Sequence, residues 1–141
     1  MASFMILESI DKYDEYLSDN KFALIHNDLH FDNVIYNNGK LTIIDFNDSI
    51  QAPIDFEFRL LYMCQEQPWK WADIEMDPYQ KPEDYKNIWN YIKKYYKELN
   101  EIKFLEQRMI IYRIWNDTGH LKKYHNVELT KGIVENSKKL I

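Results

Sequence analysis

The chain has 141 residues, of which 45% are hydrophobic and 29% charged, a composition typical of a soluble globular domain rather than of a disordered chain. Its formal net charge of −5 disfavours nonspecific nucleic-acid binding and is compatible with a cationic small-molecule substrate. A single cysteine excludes an internal disulfide, and no apolar run approaches the ~20 residues of a membrane helix, so we expect a cytoplasmic protein without a membrane partner.

A helix and three short strands are predicted in the first part of the chain. Apolar residues recur at helical spacing over 4–18. The period then changes, and runs of strand-favouring residues follow at 22–25, 33–36 and 41–44. Asn-Asn-Gly at 37–39 separates the last two runs and is typical of a tight hairpin turn.

The remainder of the chain is predicted to be helical, except for a loop or broken helix over 67–81 that contains two prolines. An apolar stripe that starts after Pro82 and continues to Leu99 predicts the clearest helix. A later helix is predicted to end before Gly119, which can close a helix in the left-handed conformation. The predicted helices cover 55–66, 82–99, 102–115 and 127–140.

Two short segments carry residues suited to phosphoryl transfer. His-Asn-Asp-Leu-His-Phe-Asp-Asn spans 26–33, and Ile-Asp-Phe follows the predicted hairpin at 44–46. Protein kinases place a catalytic Asp and a nearby Asn in one loop and a metal-binding Asp-Phe beyond a hairpin. A hairpin brings its entry and exit side by side, so we expect Asn33 and Asp45 to be neighbours that bind Mg²⁺. Asp28 would then orient the acceptor hydroxyl and take its proton.

These residues resemble the catalytic and metal loops of the aminoglycoside phosphotransferase and choline kinase family, which read His-Gly-Asp-Leu-His-x-x-Asn and Ile-Asp-Phe or Ile-Asp-Trp. The clear resemblance covers roughly 22–60 and departs at Asn27 and Asn47, where that family usually or often has Gly. Asn is among the residues best able to accept the backbone angles of Gly. The resemblance implies an α+β, mostly helical fold like a protein-kinase C-lobe, in which helices surround a catalytic loop and a short β-hairpin.

The resemblance also implies roles for three further side chains. His30 lies where protein kinases carry a Lys that contacts the transferring phosphate, and it can donate a hydrogen bond there or simply stabilise the loop. His26 is expected to fix the backbone near the metal-binding Asp. Asp55 lies where the family has a buried Asp that supports the catalytic loop, although it can also be an ordinary carboxylate in the first turn of a helix.

The implied function is transfer of the γ-phosphate of ATP or GTP, with Mg²⁺, to a hydroxyl of a small and possibly cationic molecule. The 3 Gly residues of the chain form no phosphate-cradling loop, and the segment before His26 reads as one helix. The chain therefore resembles a kinase C-lobe without its N-lobe. We expect an N-lobe from a partner chain, or self-association of the exposed apolar face.

We expect a single domain over 1–141, made of a leading helix (1–21), the catalytic and metal loops (22–50) and a helical acceptor-side part (51–141). Two other functions remain open. One is a non-catalytic remnant of the kinase fold that acts as a binding or interaction module. The other is a metallohydrolase that uses His26-x-Asp28-x-His30 with a transition metal, which leaves Asn33 unexplained.

Overall fold

The computed structural model describes residues 13–18, 21–66, 81–124 and 127–140. The chain divides into two compact units. One comprises residues 21–99, and the other comprises residues 1–20 together with 100–141. The predicted catalytic and metal loops both lie in the 21–99 unit. In the described part of the chain, no helix combines the length and the apolar character that crossing a membrane requires. Helices predominate beside a small β part, which agrees with the α+β class predicted from the sequence.

Four short strands form two antiparallel two-stranded sheets in the 21–99 unit, with β1 paired to β4 and β2 paired to β3. The hairpin β2–β3 was predicted to within one residue at its ends, and the turn residues Asn38 and Gly39 have φ angles of 49° and 80°. In β1–β4, Ile25 lies opposite Ile50. The strands are β1 (Phe22–Ile25), β2 (Val34–Asn37), β3 (Lys40–Ile43) and β4 (Ile50–Pro53).

Strand β4 is absent from the sequence prediction, which places no strand after 41–44. Pro53 has no N–H to donate, but β4 is an edge strand of a two-stranded sheet, and edge strands tolerate proline. Pairing with β1 gives hydrogen-bond partners to the backbone groups of this short segment that face β1. A tertiary partner thus creates a strand that local sequence alone does not indicate.

The described part of the 21–99 unit contains the helices α1 (Arg59–Cys64), α2 (Pro82–Tyr85) and α3 (Ile88–Tyr95). A 3₁₀ turn, Ile54–Phe58, leads into α1, so the predicted helix over 55–66 begins in a tighter form than expected. The prediction of one continuous helix over 82–99 is wrong. A turn at 86–87 separates α2 from α3, and a 3₁₀ turn at Lys97–Glu101 follows α3.

Two of the sequence predictions extend into segments of the chain that are not described. Most of the predicted loop over 67–81, with the two prolines it contains, lies outside the described residues. The predicted helix over 4–18 is described only from residue 13, and residues 13–16 are helical.

The second unit is built on two helices, α4 (Leu105–Tyr124) and α5 (Val127–Lys138), which pack against each other. The prediction that a helix ends before Gly119 is wrong, because α4 continues through that residue. Gly inside a helix costs only about 1 kcal/mol relative to Ala, and packing against α5 is sufficient to offset it. The final predicted helix is confirmed within two residues at its end.

Buried aromatic and aliphatic side chains form the core of the 21–99 unit. The Trp89 ring of α3 is 4% exposed and meets the Tyr62 ring of α1 edge to face, with 5.1 Å between centroids. This contact joins the helix that follows the catalytic segment to the rest of the unit. Among the described residues of the unit, the buried hydrophobic ones are Ile25, Ala52, Leu60, Met63, Cys64, Trp89 and Leu99.

We predict that Trp89→Ala lowers the free energy of unfolding by about 3–5 kcal/mol, because it removes a buried aromatic ring and leaves a cavity. Tyr95, on the same helix, is 75% exposed, so Tyr95→Ala should change this free energy by less than about 1 kcal/mol. Urea denaturation of both variants measures the two values. Similar losses for both substitutions would contradict the placement of α3.

Cys64 gives the stability of the protein a pH dependence. The Cys64 side chain is fully buried in α1, and burial, with a smaller contribution from the Asp32 carboxylate, raises the pKa of its thiol to about 12. In the unfolded chain a thiol loses its proton near pH ~8.5. Above that pH the unfolded state therefore binds fewer protons than the folded state, and stability falls as the pH rises.

We predict that this thiol contributes a loss of about 1.4 kcal/mol in unfolding free energy per pH unit above about pH 9. In Cys64→Ala this contribution is absent, although the variant starts from a lower stability because it leaves a small cavity. Urea titrations of both proteins at a series of alkaline pH values measure the difference in slope. Parallel pH profiles would show that the thiol ionises equally in both states.

Candidate active site

The two predicted loops meet at one end of the β2–β3 hairpin. Val34 pairs with Ile43 in the ladder, and the Ile44 N–H donates to the Asn33 carbonyl at 3.0 Å. Asn33 and Asp45 therefore leave the hairpin from adjacent positions on its two strands. The structure brings the Asp28 and Asp45 loops together at the backbone, as the hairpin predicts.

Asn33 fixes the position of Asp28. The Asn33 side chain is buried, and its Nδ2 donates to the Asp28 carbonyl at 2.8 Å and to the Asp28 Oδ2 at 3.2 Å. The Asp28 side chain is still 42% exposed, so a hydroxyl from solvent can reach its carboxylate. Because Nδ2 of Asn33 is directed at Asp28, Oδ1 is the atom of this amide that can bind a cation.

His30 lies between two carboxylates. Its Nε2 is 3.4 Å from the Asp28 Oδ2 and 3.2 Å from the Asn33 Nδ2, while its Nδ1 is 3.6 Å from the Asp32 Oδ2. The ring is mostly buried, with 18% of the side chain exposed. His30 thus contacts the predicted base directly, and its contact with a phosphate stays a prediction.

His26 connects the two loops through both ring nitrogens. Nε2 lies 2.7 Å from the Ile44 carbonyl and donates to it, whereas Nδ1 lies 3.3 Å from the Asp28 N–H and accepts from it. This pattern requires the tautomer protonated at Nε2. The buried ring also packs against Phe46, at 4.6 Å between centroids. One side chain therefore joins the peptide of Asp28 to the residue before Asp45.

The two Asn residues at which the sequence departs from the family pattern are accommodated by local hydrogen bonds. Asn27 has a φ of 71°, which is the left-handed conformation that the sequence predicts, and its Nδ2 donates to the Asp48 carbonyl at 3.1 Å. Asp45 also has a positive φ, of 60°. The Asn47 Nδ2 donates to the Asp45 Oδ1 at 2.7 Å and so orients this carboxylate.

Glu57 contacts the catalytic loop from the 3₁₀ turn that also contains Asp55. The backbone N–H of His26 donates to the Glu57 Oε2. Asp55 is buried in the same 3₁₀ turn, as a structural carboxylate would be. The support of the loop expected from Asp55 stays a prediction. The contact of Glu57 was not predicted, because the spacing of an ideal α-helix does not show which side chains a 3₁₀ turn directs at the loop.

Arg59 is a second residue of this site that sequence reasoning missed. Its side chain is buried at the start of α1, and Nη2 donates to the Asn27 carbonyl at 2.6 Å. Burial lowers the pKa of the guanidinium, and the carboxylates of Glu57 and Asp28 act in the opposite direction. An Arg remains charged under these conditions, so a positive charge lies behind the catalytic loop.

The metal-binding capacity of the site rests on oxygen ligands. Within the described ranges, no group of three or more His, Cys, Asp or Glu side chains is arranged to hold a metal ion. The Asn33 amide and the Asp45 carboxylate supply neutral and anionic oxygens, which suit Mg²⁺ when water and phosphate complete its shell. The donor chemistry of these two residues therefore fits Mg²⁺ bound together with a nucleotide.

We predict that Glu57→Leu lowers the free energy of unfolding by about 1–3 kcal/mol, because the buried His26 N–H loses its acceptor. Glu57→Gln is the matched control, since its amide oxygen can still accept that bond. Urea denaturation gives the stabilities, and amide hydrogen exchange at His26 reports the bond itself. A His26 amide that exchanges equally slowly in all three proteins would exclude the role of Glu57.

Comparison with known proteins identifies the family. A sequence model of the phosphotransferase enzyme family matches residues 6–87, which is more than half of the chain. Neither a curated protein nor a solved structure matches the chain. The resemblance to aminoglycoside phosphotransferases seen in the two loops is thereby confirmed. The chain belongs to the phosphotransferase enzyme family.

Proposed function

We propose that the chain transfers the γ-phosphate of ATP or GTP to a hydroxyl of a small molecule, with Asp28 as the catalytic base. The observation that carries the proposal is the setting of the Asp28 carboxylate. It is partly exposed to solvent, yet Asn33, His30 and His26 hold its main chain and side chain from three directions. A carboxylate that is both fixed and accessible suits a residue that must orient an incoming hydroxyl.

In the proposed reaction, the acceptor oxygen attacks the γ-phosphorus while the bond to the β-γ bridging oxygen breaks and the nucleoside diphosphate leaves. The proton of the hydroxyl passes to the Asp28 carboxylate and from there to solvent. Phosphoryl transfer depends more on in-line positioning than on a strong base. The exposed position of Asp28 allows the acceptor to approach, and the Asn33 amide fixes the direction of its carboxylate.

Mg²⁺ would be held by Asn33 and Asp45 and would neutralise charge on the phosphates. Asp45 is prepared for this role because Asn47 already orients one carboxylate oxygen. His30 would donate a hydrogen bond to the transferring phosphate from its position beside Asp28. These assignments follow the kinase pattern, and the donor types and the proximity of the loops support them.

The nucleotide would be gripped by an N-lobe partner that covers the β2–β3 hairpin, in the manner of a kinase C-lobe completed by a second lobe. One face of this hairpin carries Tyr36, Leu41 and Ile43, which are all exposed. The side chains of Asp28, Asp32, Asp45 and Asp48 make the site acidic, so cationic groups that bind a triphosphate suit a partner here. The acidic surroundings also favour a cationic acceptor.

A second candidate function, an interaction module built on a kinase fold, is favoured by the same exposed hairpin face. Such a face on a two-stranded sheet indicates a binding surface whether or not catalysis follows. The metallohydrolase loses support because both ring nitrogens of His26 are engaged with the backbone, which leaves this residue no lone pair for a metal.

We predict that Asp28→Asn lowers phosphate transfer by about 10²-fold or more, because the general base is lost. Glu83→Gln should stay within about threefold, since Glu83 is exposed in α2 and has no role in the proposed site. The assay follows labelled γ-phosphate from ATP or GTP into aminoglycosides, choline and amino sugars, with and without a nucleotide-binding partner. Turnover that survives Asp28→Asn would refute the mechanism, and calorimetry that detects no Mg-ATP binding would favour the interaction module.

A further inference from the structure

Arg59 holds a position that neither the family pattern nor the proposed chemistry accounts for. Its guanidinium donates from Nη2 to the Asn27 carbonyl at 2.6 Å and from Nη1 to the Phe56 carbonyl at 3.1 Å. It also lies over the Phe56 ring, 4.1 Å from the ring centroid. One planar group thus connects the catalytic loop to the 3₁₀ turn that precedes α1.

A buried charge needs a specific reason to be retained. Only 6% of Arg59 is exposed, and removing a guanidinium from water is unfavourable unless hydrogen bonds and opposite charges compensate it. Both of these hydrogen bonds are to backbone carbonyls rather than to a carboxylate. The arrangement therefore stabilises backbone geometry at the loop, which a surface ion pair would not do.

The peptide group between Asn27 and Asp28 is fixed from both ends. Its carbonyl accepts from Arg59, and its N–H donates to the His26 Nδ1 at 3.3 Å. Fixing the plane of this peptide sets the ψ angle of Asn27 and the φ angle of Asp28. These angles decide the direction in which the Asp28 side chain leaves the backbone.

The conformation of Asn27 makes this restraint necessary. Asn27 has a φ of 71°, a region that L-residues other than Gly seldom occupy. Such a left-handed backbone conformation is maintained by surrounding contacts that fix it from several sides. Arg59 supplies the contact on the carbonyl, and the side chain of Asn27 supplies another through the Asp48 carbonyl.

We propose that Arg59 is a positioning residue that holds the Asn27–Asp28 peptide in its left-handed turn and thereby aims the Asp28 carboxylate at the acceptor hydroxyl. The role in catalysis rests on the proposed function of Asp28 as the base. The backbone restraint itself does not depend on any activity. Arg59 and Asp28 also attract each other electrostatically, which favours the same orientation.

The first test compares Arg59→Lys with the wild-type protein by amide hydrogen exchange and ¹H–¹⁵N spectra. Lys retains the charge but lacks the planar fork that reaches both carbonyls. We expect the Asp28 amide to exchange about tenfold faster or more and its resonance to shift. The matched control is Arg113→Lys, whose residue belongs to the other compact unit and pairs with Asp117 at 3.7 Å. In that variant the Asp28 amide should be unchanged.

A folded Arg59→Lys protein with an unaltered Asp28 resonance and exchange rate would overturn the proposal. If the variant does not fold, the wild-type protein provides an independent measurement. Restraint by two carbonyls predicts separate, slowly exchanging resonances for the Nη protons of Arg59. A single averaged signal would show a freely rotating guanidinium and would likewise overturn the proposal.

Where turnover is measurable, Arg59→Lys should lower kcat by about tenfold or more with KM nearly unchanged, because misdirection of the base affects the chemical step rather than substrate binding. A rise in KM with kcat intact would assign Arg59 to substrate binding instead. Turnover that survives Asp28→Asn refutes the base assignment, whereas the exchange and Nη measurements test Arg59 alone.

Discussion

The site depends on two hydrogen bonds of the Ile44 main chain, one formed by its N–H and the other by its carbonyl. The Ile44 N–H donates to the Asn33 carbonyl, and the Ile44 carbonyl accepts from His26. Through this one residue, the loop that carries Asp28 and the loop that carries Asp45 share a common support. The support extends further, because the His26 backbone is held by Glu57 in the turn before α1. A small hairpin can thus position a catalytic group because buried hydrogen bonds connect it to the helical part of its unit.

Two residues of the candidate site have backbone conformations in the left-handed region. Asn27, just before Asp28, and Asp45 itself both have positive φ angles. Asn and Asp tolerate this region better than other side chains, since their short polar groups can bond locally. In each case such a bond is present, from Asn27 to the Asp48 carbonyl and from Asn47 to Asp45. The unusual conformations are therefore properties of the folded loops that the surrounding contacts maintain.

The sequence predicted those parts of the fold that interactions between residues close in sequence determine. The Asn-Asn-Gly turn fixed the hairpin, and the hairpin made the proximity of Asn33 to the Asp45 loop predictable. Strand β4 needed β1 as a partner, and the length of α4 depended on packing against α5, so neither is encoded locally. Glu57 and Arg59 were not predicted as residues of the site for the same reason. Their bonds join segments about thirty residues apart, and an acidic helix start predicts a capping role rather than a contact with a distant loop.

The exposed apolar face of the β2–β3 hairpin would link the stability of the site to whether a partner covers that face. A two-stranded hairpin is only marginally stable by itself, and Tyr36, Leu41 and Ile43 leave apolar area open on β2–β3. A partner that binds the folded hairpin and not the unfolded one must stabilise it by mass action. Because Asn33 and Asp45 leave from the end of the same hairpin, that stabilisation also orders the residues proposed to hold Mg²⁺. Binding of such a partner and formation of the proposed metal site would therefore be thermodynamically coupled, and each would favour the other.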